Sequence, residues 1–362
     1  MELGAIAVAA LTASFIYSFL SSLSVTLKWK RKVWEDFPPS YSKRVSVILP
    51  FYNEKFEDVE RTIDSLARQD YPKELLEVLV VLEEGDEGTE EIVKELLPRI
   101  PFKKKIVKVH GRRGKWKALN KGFSEANGEL VVVYDAGDVF GSEHISKLVG
   151  ASSKYPIVTS RVLRKGKGLW GNLSFAETIL WTEVAIPLIK KLTGVVPPSG
   201  EGVALTFKPT LPPCLAEDAF LVLLGKEIGA LDYEVIEGAP STFRSYALQR
   251  ARWYKGYLQC MARALKEKRV KEALIFSIPL VMVMYSIAVP LTLLLPLIDP
   301  SPKYFIFPIS IVAMISLPSL YLRGRVDRKA LLFLPLSVVL QGFIVLYSIG
   351  VREWFKTERS YG

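Results

Sequence analysis

Hydrophobic and polar positions fall into three regimes along the chain. Residues 3–27, "LGAIAVAALTASFIYSFLSSLSVTL", form an apolar run without a charge. From about 44 to 255, short continuous apolar runs alternate with segments whose apolar residues return at helical spacing. Beyond 273 the chain is apolar again in three runs, about 273–298, 304–322 and 330–350, divided by the short "DPSPK" and the basic "RGRVDRK". About 20 apolar residues suffice to cross ~30 Å of hydrocarbon as a helix. A secretory signal is the rival reading of residues 3–27. The charged n-region is missing and the stretch is long for an h-region, so an uncleaved anchor is favoured. The cluster "KWKRK" at 28–32 follows, and the positive-inside rule then predicts a cytoplasmic chain beyond it.

The C-terminal third is ambiguous. Crossing outward over 273–298 and back over 304–322 keeps Arg323, Arg325, Arg328 and Lys329 inside. A further crossing over 330–350 puts the basic "VREWFKTERSYG" outside, against its charge. One run is therefore expected to be re-entrant or interfacial, and Pro279, Pro290 and Pro296 single out 273–298. Three spans and four both stay open.

The middle regime reads as alternating strands and helices. "RVSVILPFYN" predicts a buried strand ending in a turn, "EDVERTIDSLARQ" a helix and "EVLVVLEE" a second strand. A helix at about 89–97, a strand "KIVKVH", a helix around "KALNKGFSEA" and a strand "ELVVVYDAGD" continue the series. Continuous apolar strands between helices predict an α/β domain whose mostly parallel sheet is covered on both faces. Ligands bind beyond the carboxyl ends of such strands. Asn53 and Glu54, Glu83 and Glu84, and Asp135 and Asp138 fall at those ends.

Composition sharpens this picture. The chain is 49% hydrophobic yet 24% charged, and the two are segregated, as expected of a polar domain joined to membrane segments. A net charge of +10 favours anionic lipid, nucleic acid or a phosphorylated substrate as partner. No RNP-type or helix-turn-helix signature is present, which with the anchor argues against nucleic acid. Two cysteines, Cys214 and Cys260, and two histidines, His110 and His144, support neither a disulfide framework, a zinc site nor His-based nucleophile chemistry.

Four short stretches carry candidate chemistry. "VVVYDAGD" puts Asp135 and Asp138 on the turn leaving a buried strand, where hard divalent cations find oxygen ligands; a turn that merely uses Asp and Gly is the competing reading. "LAEDAFLVLLGKEIG" sets Glu217 and Asp218 before an apolar helix, as helix-capping acids or as a general base. "GRRGKWKALN" is a basic, glycine-bearing entry to a helix, suited to phosphate through Lys115 or simply solvated. "QRARWYKG" at 249–256 offers Arg250 and Arg252 to a diphosphate and Trp253 to a sugar face, or else forms an interfacial belt.

The order of these pieces resembles the family 2 glycosyltransferases, in the membrane-embedded branch that includes cellulose, chitin and hyaluronan synthases. "LPFYNE" (49–54), a pair of acids closing the second strand, "KWKALN" (115–120), the aspartates of "DAGD", a Glu-Asp pair and "QRARW" (249–253) follow in sequence over about 205 residues. The resemblance implies a GT-A-type Rossmann-like, mostly parallel sheet domain with transmembrane α-helices, in an integral cell-membrane protein whose catalytic domain is cytoplasmic. It implies that Tyr52, Glu54, Glu83, Glu84 and Lys115 hold the donor nucleotide, and that Asp135 and Asp138 hold a divalent cation, Mg2+ or Mn2+. Asp218, beside Glu217, falls at the catalytic base; Gln249, Arg250, Arg252 and Trp253 fall at the diphosphate and acceptor.

Three departures stand out. Glu83-Glu84 replaces the common Asp-Asp, Asp-Ala-Gly-Asp replaces a strict Asp-x-Asp, and "PPSGEGVALTF" (197–207) matches the acceptor-region loop loosely. "WFKTER" (354–359) resembles a C-terminal motif of some relatives near the active-site mouth, favouring a cytoplasmic tail. The expected organisation is an anchor at 1–30, a glycosyltransferase domain at 44–258, an interfacial basic helix at 259–272, membrane helices at 273–350 and a basic tail at 351–362. The expected activity is inverting transfer from a nucleotide-diphosphate sugar to a growing polysaccharide. Single-sugar transfer to a lipid acceptor and a catalytically silent sugar-binding membrane protein are the alternatives.

Overall fold

The computed structural model describes residues 33–111, 114–298, 318–351 and 361. The expected anchor 3–27, most of the run 304–322 and the "WFKTER" motif lie outside them.

One mixed sheet organises the domain. Its strands are β1 (Trp34–Glu35), β2 (Val45–Phe51), β3 (Leu76–Glu83), β4 (Lys103–Val109), β5 (Leu130–Val133), β6 (Val139–Phe140), β7 (Ile157–Lys165), β8 (Val203–Leu205) and β9 (Ile228–Gly238). They lie in the order β1-β9-β7-β8-β5-β2-β3-β4, with β6 on β9. All pairings are parallel except β8 with β5 and β7, and β6 with β9.

The strand sequences explain why two helical layers are needed. In β2 every residue is buried, Ile48 towards one core and Val47 and Leu49 towards the other. Helices α1 (Phe56–Ala67), α2 (Glu87–Leu96) and α4 (His144–Ala151) cover the second face; α3 (Lys115–Glu125) covers the first. Gly122 of α3 lets that helix sit tightly on the sheet, since a β-carbon there would come within 2.6 Å of Ile48 Cγ2. The predicted elements from β2 to β5 are all present.

A second group of helices packs on the sheet's far side: α5 (Gly168–Leu180), a π-type turn (Trp181–Ala185), α6 (Ile186–Thr193), α7 (Glu217–Phe220), α8 (Phe243–Lys266), α9 (Val270–Ile275), α10 (Ile278–Ile298) and α11 (Arg328–Ser348). Two expectations are corrected here. The apolar helix after Glu217 lasts four residues and gives way to a 3-10 turn, because Gly225 in the left-handed region (φ +68°) ends it and the chain enters β9. The interfacial helix expected at 259–272 is not separate: α8 runs unbroken through Lys266, carrying "QRARW" in its interior, and only α9 follows.

By length and composition, α11 is the described helix able to cross a membrane. It nonetheless lies along the domain. Before its start, both Arg325 amino groups reach Glu183 at 2.8 Å; midway, Gln341 donates to Glu177 Oε1 at 2.8 Å; past its end, Lys255 donates to the Ile349 carbonyl at 2.7 Å. The side away from the domain is apolar and open, with Leu332 82% and Phe343 59% exposed. Within the run 273–298, α10 is continuous through Pro290 and Pro296.

Candidate active site

Strand direction converts distant sequence positions into one rim. β2, β3, β4, β5, β7 and β9 all end there, and antiparallel β8 begins there.

After β2, Asn53 adopts φ +48°, its amide donates to Asp86 Oδ2 (2.7 Å), and the Glu54 amide donates to Thr89 Oγ1 (2.9 Å). Asp86 also caps α2, so the turn bearing Tyr52 and Glu54 is bolted to that helix. After β3, Glu84 lies 2.7 Å from His110 Nδ1 at the exposed end of β4, while Glu83 is partly buried.

The turn after β5 is built for constraint. Thr62 donates to the Asp135 carbonyl (2.9 Å), and the Gly137 amide donates to the Asp58 carbonyl (2.8 Å). Gly137 sits at φ +92°, where a β-carbon would strike Tyr361, whose ring also packs under Arg61 at 4.0 Å. Asp138 Oδ2 accepts from the Asp135 amide (2.8 Å), the turn-shaping role. Its Oδ1, fully buried, finds no hydrogen-bond partner among the described residues. Burial, together with Asp135, Glu201 and Glu237, pushes the Asp138 carboxyl well up.

Lys115 is no solvated cation. It is 6% exposed at the start of α3, with Nζ 2.7 Å from Asp135 Oδ1 and 3.1 Å from Glu217 Oε1. Burial opposes its charge, but Asp135, Glu217 and Glu201 outweigh burial and hold the ammonium above its ordinary value. Beside it, burial and then Glu217 push the Asp218 carboxyl up to about 6, against the Ala219 amide, Lys115 and Arg164.

The loop 199–202 closes the gap between them. Ser199 N donates to Thr159 Oγ1 (2.9 Å) and Gly202 N to the Val133 carbonyl (2.9 Å). A buried relay of Tyr134, His144 and Ser160 ends on the Gly202 carbonyl, with His144 kept neutral by burial at about 3. A β-carbon at Gly200 would lie 3.5 Å from Lys115 Nζ and 3.8 Å from Asp218 Oδ2.

Three residues here escaped the sequence reading. Arg164, at the end of β7, pairs with Glu237 at the end of β9 (2.6 Å) and with Glu201 (3.3 Å). Burial and Glu237 push the Glu201 carboxyl up to about 8. Its proton is held more tightly in the fold than in the unfolded chain, where glutamate titrates near ~4.3. That contribution to stability is full below ~4.3 and is lost as pH rises through about 8. The Glu201→Gln variant is therefore expected to gain Tm relative to the parent as pH rises from about 4 to 8, by at least ~2 °C. Thermal melts at three pH values check it; a constant difference contradicts it.

Helix α8 brings the last group. Gln249 is fully buried and accepts from Arg250. Arg250, 4% exposed, is committed inward: Nη2 lies 2.7 Å from Glu177 Oε2 and 3.3 Å from Ser174 Oγ. Trp253 is partly buried, with the Arg164 and Arg250 guanidiniums 4.5 and 4.4 Å from its ring centroid, and Arg252 is partly buried too. The helix seats directly on the acidic pair's approach: a β-carbon at Gly256 would stand 2.4 Å from Ala216 Cβ and 2.7 Å from its amide nitrogen. Backbone cannot yield as a side chain does, and overpacking costs ~1–3 kcal/mol. Gly256→Ala should lower Tm and cut turnover at least ~10-fold by shifting Asp218; unchanged melts and turnover would refute the close seating.

Lys115, Asp135, Glu201, Glu217, Asp218, Arg164 and Trp253 thus form one connected cluster, while Glu84 sits with His110 on the exposed rim and Arg250 behind the indole. The donor set also bears on a cation. Among the described residues no group of three or more His, Cys, Asp or Glu side chains is disposed to hold a metal. The bare Asp138 oxygen suits a hard cation that completes its shell with substrate phosphate oxygens.

The chain resembles known proteins over this region. Residues 46–195 match the family described as glycosyl transferase family 2. The probable glycosyltransferase YdaM of Bacillus subtilis (strain 168) is 28% identical over 269 residues, 67% of this chain and 61% of that protein. The dolichol-phosphate mannosyltransferase of Pyrococcus furiosus is 30% identical over 158 residues, 41% of this chain and 43% of that protein. The chain thus spans less than two thirds of either relative. Among solved structures, the mannosyltransferase PcManGT of Pyrobaculum calidifontis, in complex with GDP-Man and Mn2+, shares the fold with a TM-score of 0.62 and 24% identity, over 93% of this chain and 98% of that one. Glu201, Asp218 and the "QRARW" stretch lie beyond the matched family segment. Residues 46–195 thus match the glycosyl transferase family 2 model, and the chain has a mixed α/β, GT-A-like fold with a mostly parallel sheet.

Proposed function

We propose that the chain transfers a sugar, with inversion, from a nucleotide-diphosphate sugar to a glycan growing at a membrane surface, as in the cellulose, chitin and hyaluronan synthase branch. The observation that carries this reading is the convergence of Lys115, Asp135, Glu217 and Asp218 within one cluster beside Trp253.

Each group has a task its surroundings suit. Tyr52, Glu54, Glu83 and Glu84 border the nucleoside end of the rim. Lys115 and Arg252 face negative charge on the diphosphate, where preorganised cations stabilise a leaving group most. Asp135 and Asp138 would hold a divalent cation, Mg2+ or Mn2+, which when bound neutralises the diphosphate. Asp218, oriented by the Ala219 amide at 2.8 Å, takes the proton of the acceptor hydroxyl, while Glu217 stays paired with Lys115. One base suffices for attack opposite the leaving group. Trp253 offers a flat apolar face to the acceptor sugar, and Gln249 and Arg250 hold that helix face in place. The open apolar side of α11, with both ends on the domain, would rest in lipid and keep domain and tail on one side, the cytoplasmic one by the positive-inside rule.

The same exposed apolar face favours a second reading, in which one sugar passes to a lipid phosphate. Labelled donor followed by size separation distinguishes them: a ladder or long polymer supports the first, a single lipid-soluble product the second.

A further inference from the structure

Arg164 makes two contacts that nothing in the proposed reaction uses. It joins β7 to β9 and to the 199–202 loop through Glu237 (2.6 Å) and Glu201 (3.3 Å), and its guanidinium lies 4.5 Å from the Trp253 ring centroid. Its side chain is 12% exposed, so both contacts form away from bulk water. A planar guanidinium can stack on an indole and pair with carboxylates at its edge simultaneously, which an ammonium cannot. The loop it holds is pinned at both ends, and the residue before Glu201 sits between Lys115 and Asp218.

We propose that Arg164 is a positioning residue that locks the Trp253 acceptor platform to the loop beside Asp218, so that acceptor and base keep a fixed separation. The inference rests on the reading above, with Trp253 as acceptor platform and Asp218 as base. Arg164 also bears on the charge of Asp218. The groups facing that carboxylate are Glu217 on its own helix, Lys115 from α3, Arg164 from β7, Tyr257 and Cys260 from α8, and Cys214. Lys115 and Arg164 are the cations among them, so a neutral residue at 164 removes one of the two cations that, with the Ala219 amide, favour the ionised base.

Two substitutions separate the roles. Arg164→Lys keeps the charge and loses the planar stack; Arg164→Gln loses both. The full-length protein in detergent is assayed with UDP-glucose, UDP-N-acetylglucosamine and GDP-mannose, with Mn2+ or Mg2+. A polyprenyl phosphate and a β-linked gluco-oligosaccharide serve as acceptor probes, and donor hydrolysis to water is read in parallel. Both variants should raise the acceptor KM at least ~10-fold, while donor KM and hydrolysis stay within ~3-fold. Arg164→Gln alone should also move the acid limb of kcat/KM upward by at least half a pH unit. Acceptor KM within ~2-fold of the parent in Arg164→Lys, with melts unchanged, overturns the proposal. A uniform loss of donor and acceptor kinetics with lowered melts in both variants overturns it too, as a purely structural role. If the parent turns over no donor, or Asp218→Asn keeps full activity, the underlying reading fails instead.

Discussion

Replacing Asp218 with Asn is expected to lower transfer by ~10²–10⁴-fold, the range a positioned general base contributes, while nucleotide affinity stays within about threefold. The size follows from how few groups can do the work. Glu217 is bound to Lys115 at 3.1 Å, Asp135 to the same ammonium at 2.7 Å, and Asp138 is spent on the turn through Oδ2. Asp218 keeps a carboxylate in the cluster, held by one backbone amide and raised to about 6 by burial and Glu217. The sign of its pH dependence follows: a base acts when ionised, so kcat/KM should fall about tenfold per unit below about 6 and level off above it. Asn is nearly isosteric, so the melt should hold. Full turnover in the Asn variant, or an acid limb that is unchanged by it, would remove Asp218 from the role.

The second large effect belongs to Lys115→Met. Two carboxylates depend on this one ammonium, and it is 6% exposed. Taking one partner from a buried ion pair typically costs ~3–5 kcal/mol, because the remaining charge is left uncompensated. Lys115 stays charged well past its ordinary ~10.4, so this stabilisation is present across the whole neutral range and is lost only at strongly alkaline pH. The Met variant should melt clearly lower than the parent at pH 7. Binding of UDP or GDP should weaken at least ~10-fold where the variant remains folded. Equal melts and equal nucleotide affinity would make Lys115 a bystander.

How much of this was legible in the sequence depends on where each residue sits in the sheet. Strands β2, β3 and β5 are buried on both faces and alternate with helices, so periodicity alone located Glu54, Glu83 and Asp135 at strand ends. The other half of the sheet is harder. β8 runs backwards between β5 and β7, and no local pattern announces that reversal. Arg164 reads as one more cation in "RVLRKGK", and Glu237 as one of several acids in "DYEVIEG"; only the pairing of β7 with β9 brings them together. A weak signal existed for Glu201, inside the loosely matching "PPSGEGVALTF". Lys115 looked solvated because its neighbours are basic, yet burial beside two acids decides its state. Arg250 looked like a diphosphate ligand until α8 turned it towards Glu177. The helix register, which "QRARW" alone does not fix against the sheet, makes that difference.

The most direct test of the central claim is the anomeric configuration of the product. Purified full-length protein is incubated with α-linked UDP- and GDP-sugars and Mn2+, the nucleoside diphosphate released is quantified, and the new linkage is read by proton NMR. A β-linked product formed in step with nucleoside diphosphate release, and absent with the Asp218→Asn variant, is the expected result. An α-linked product, or release that persists undiminished without Asp218, would contradict a single-base inverting site at this rim.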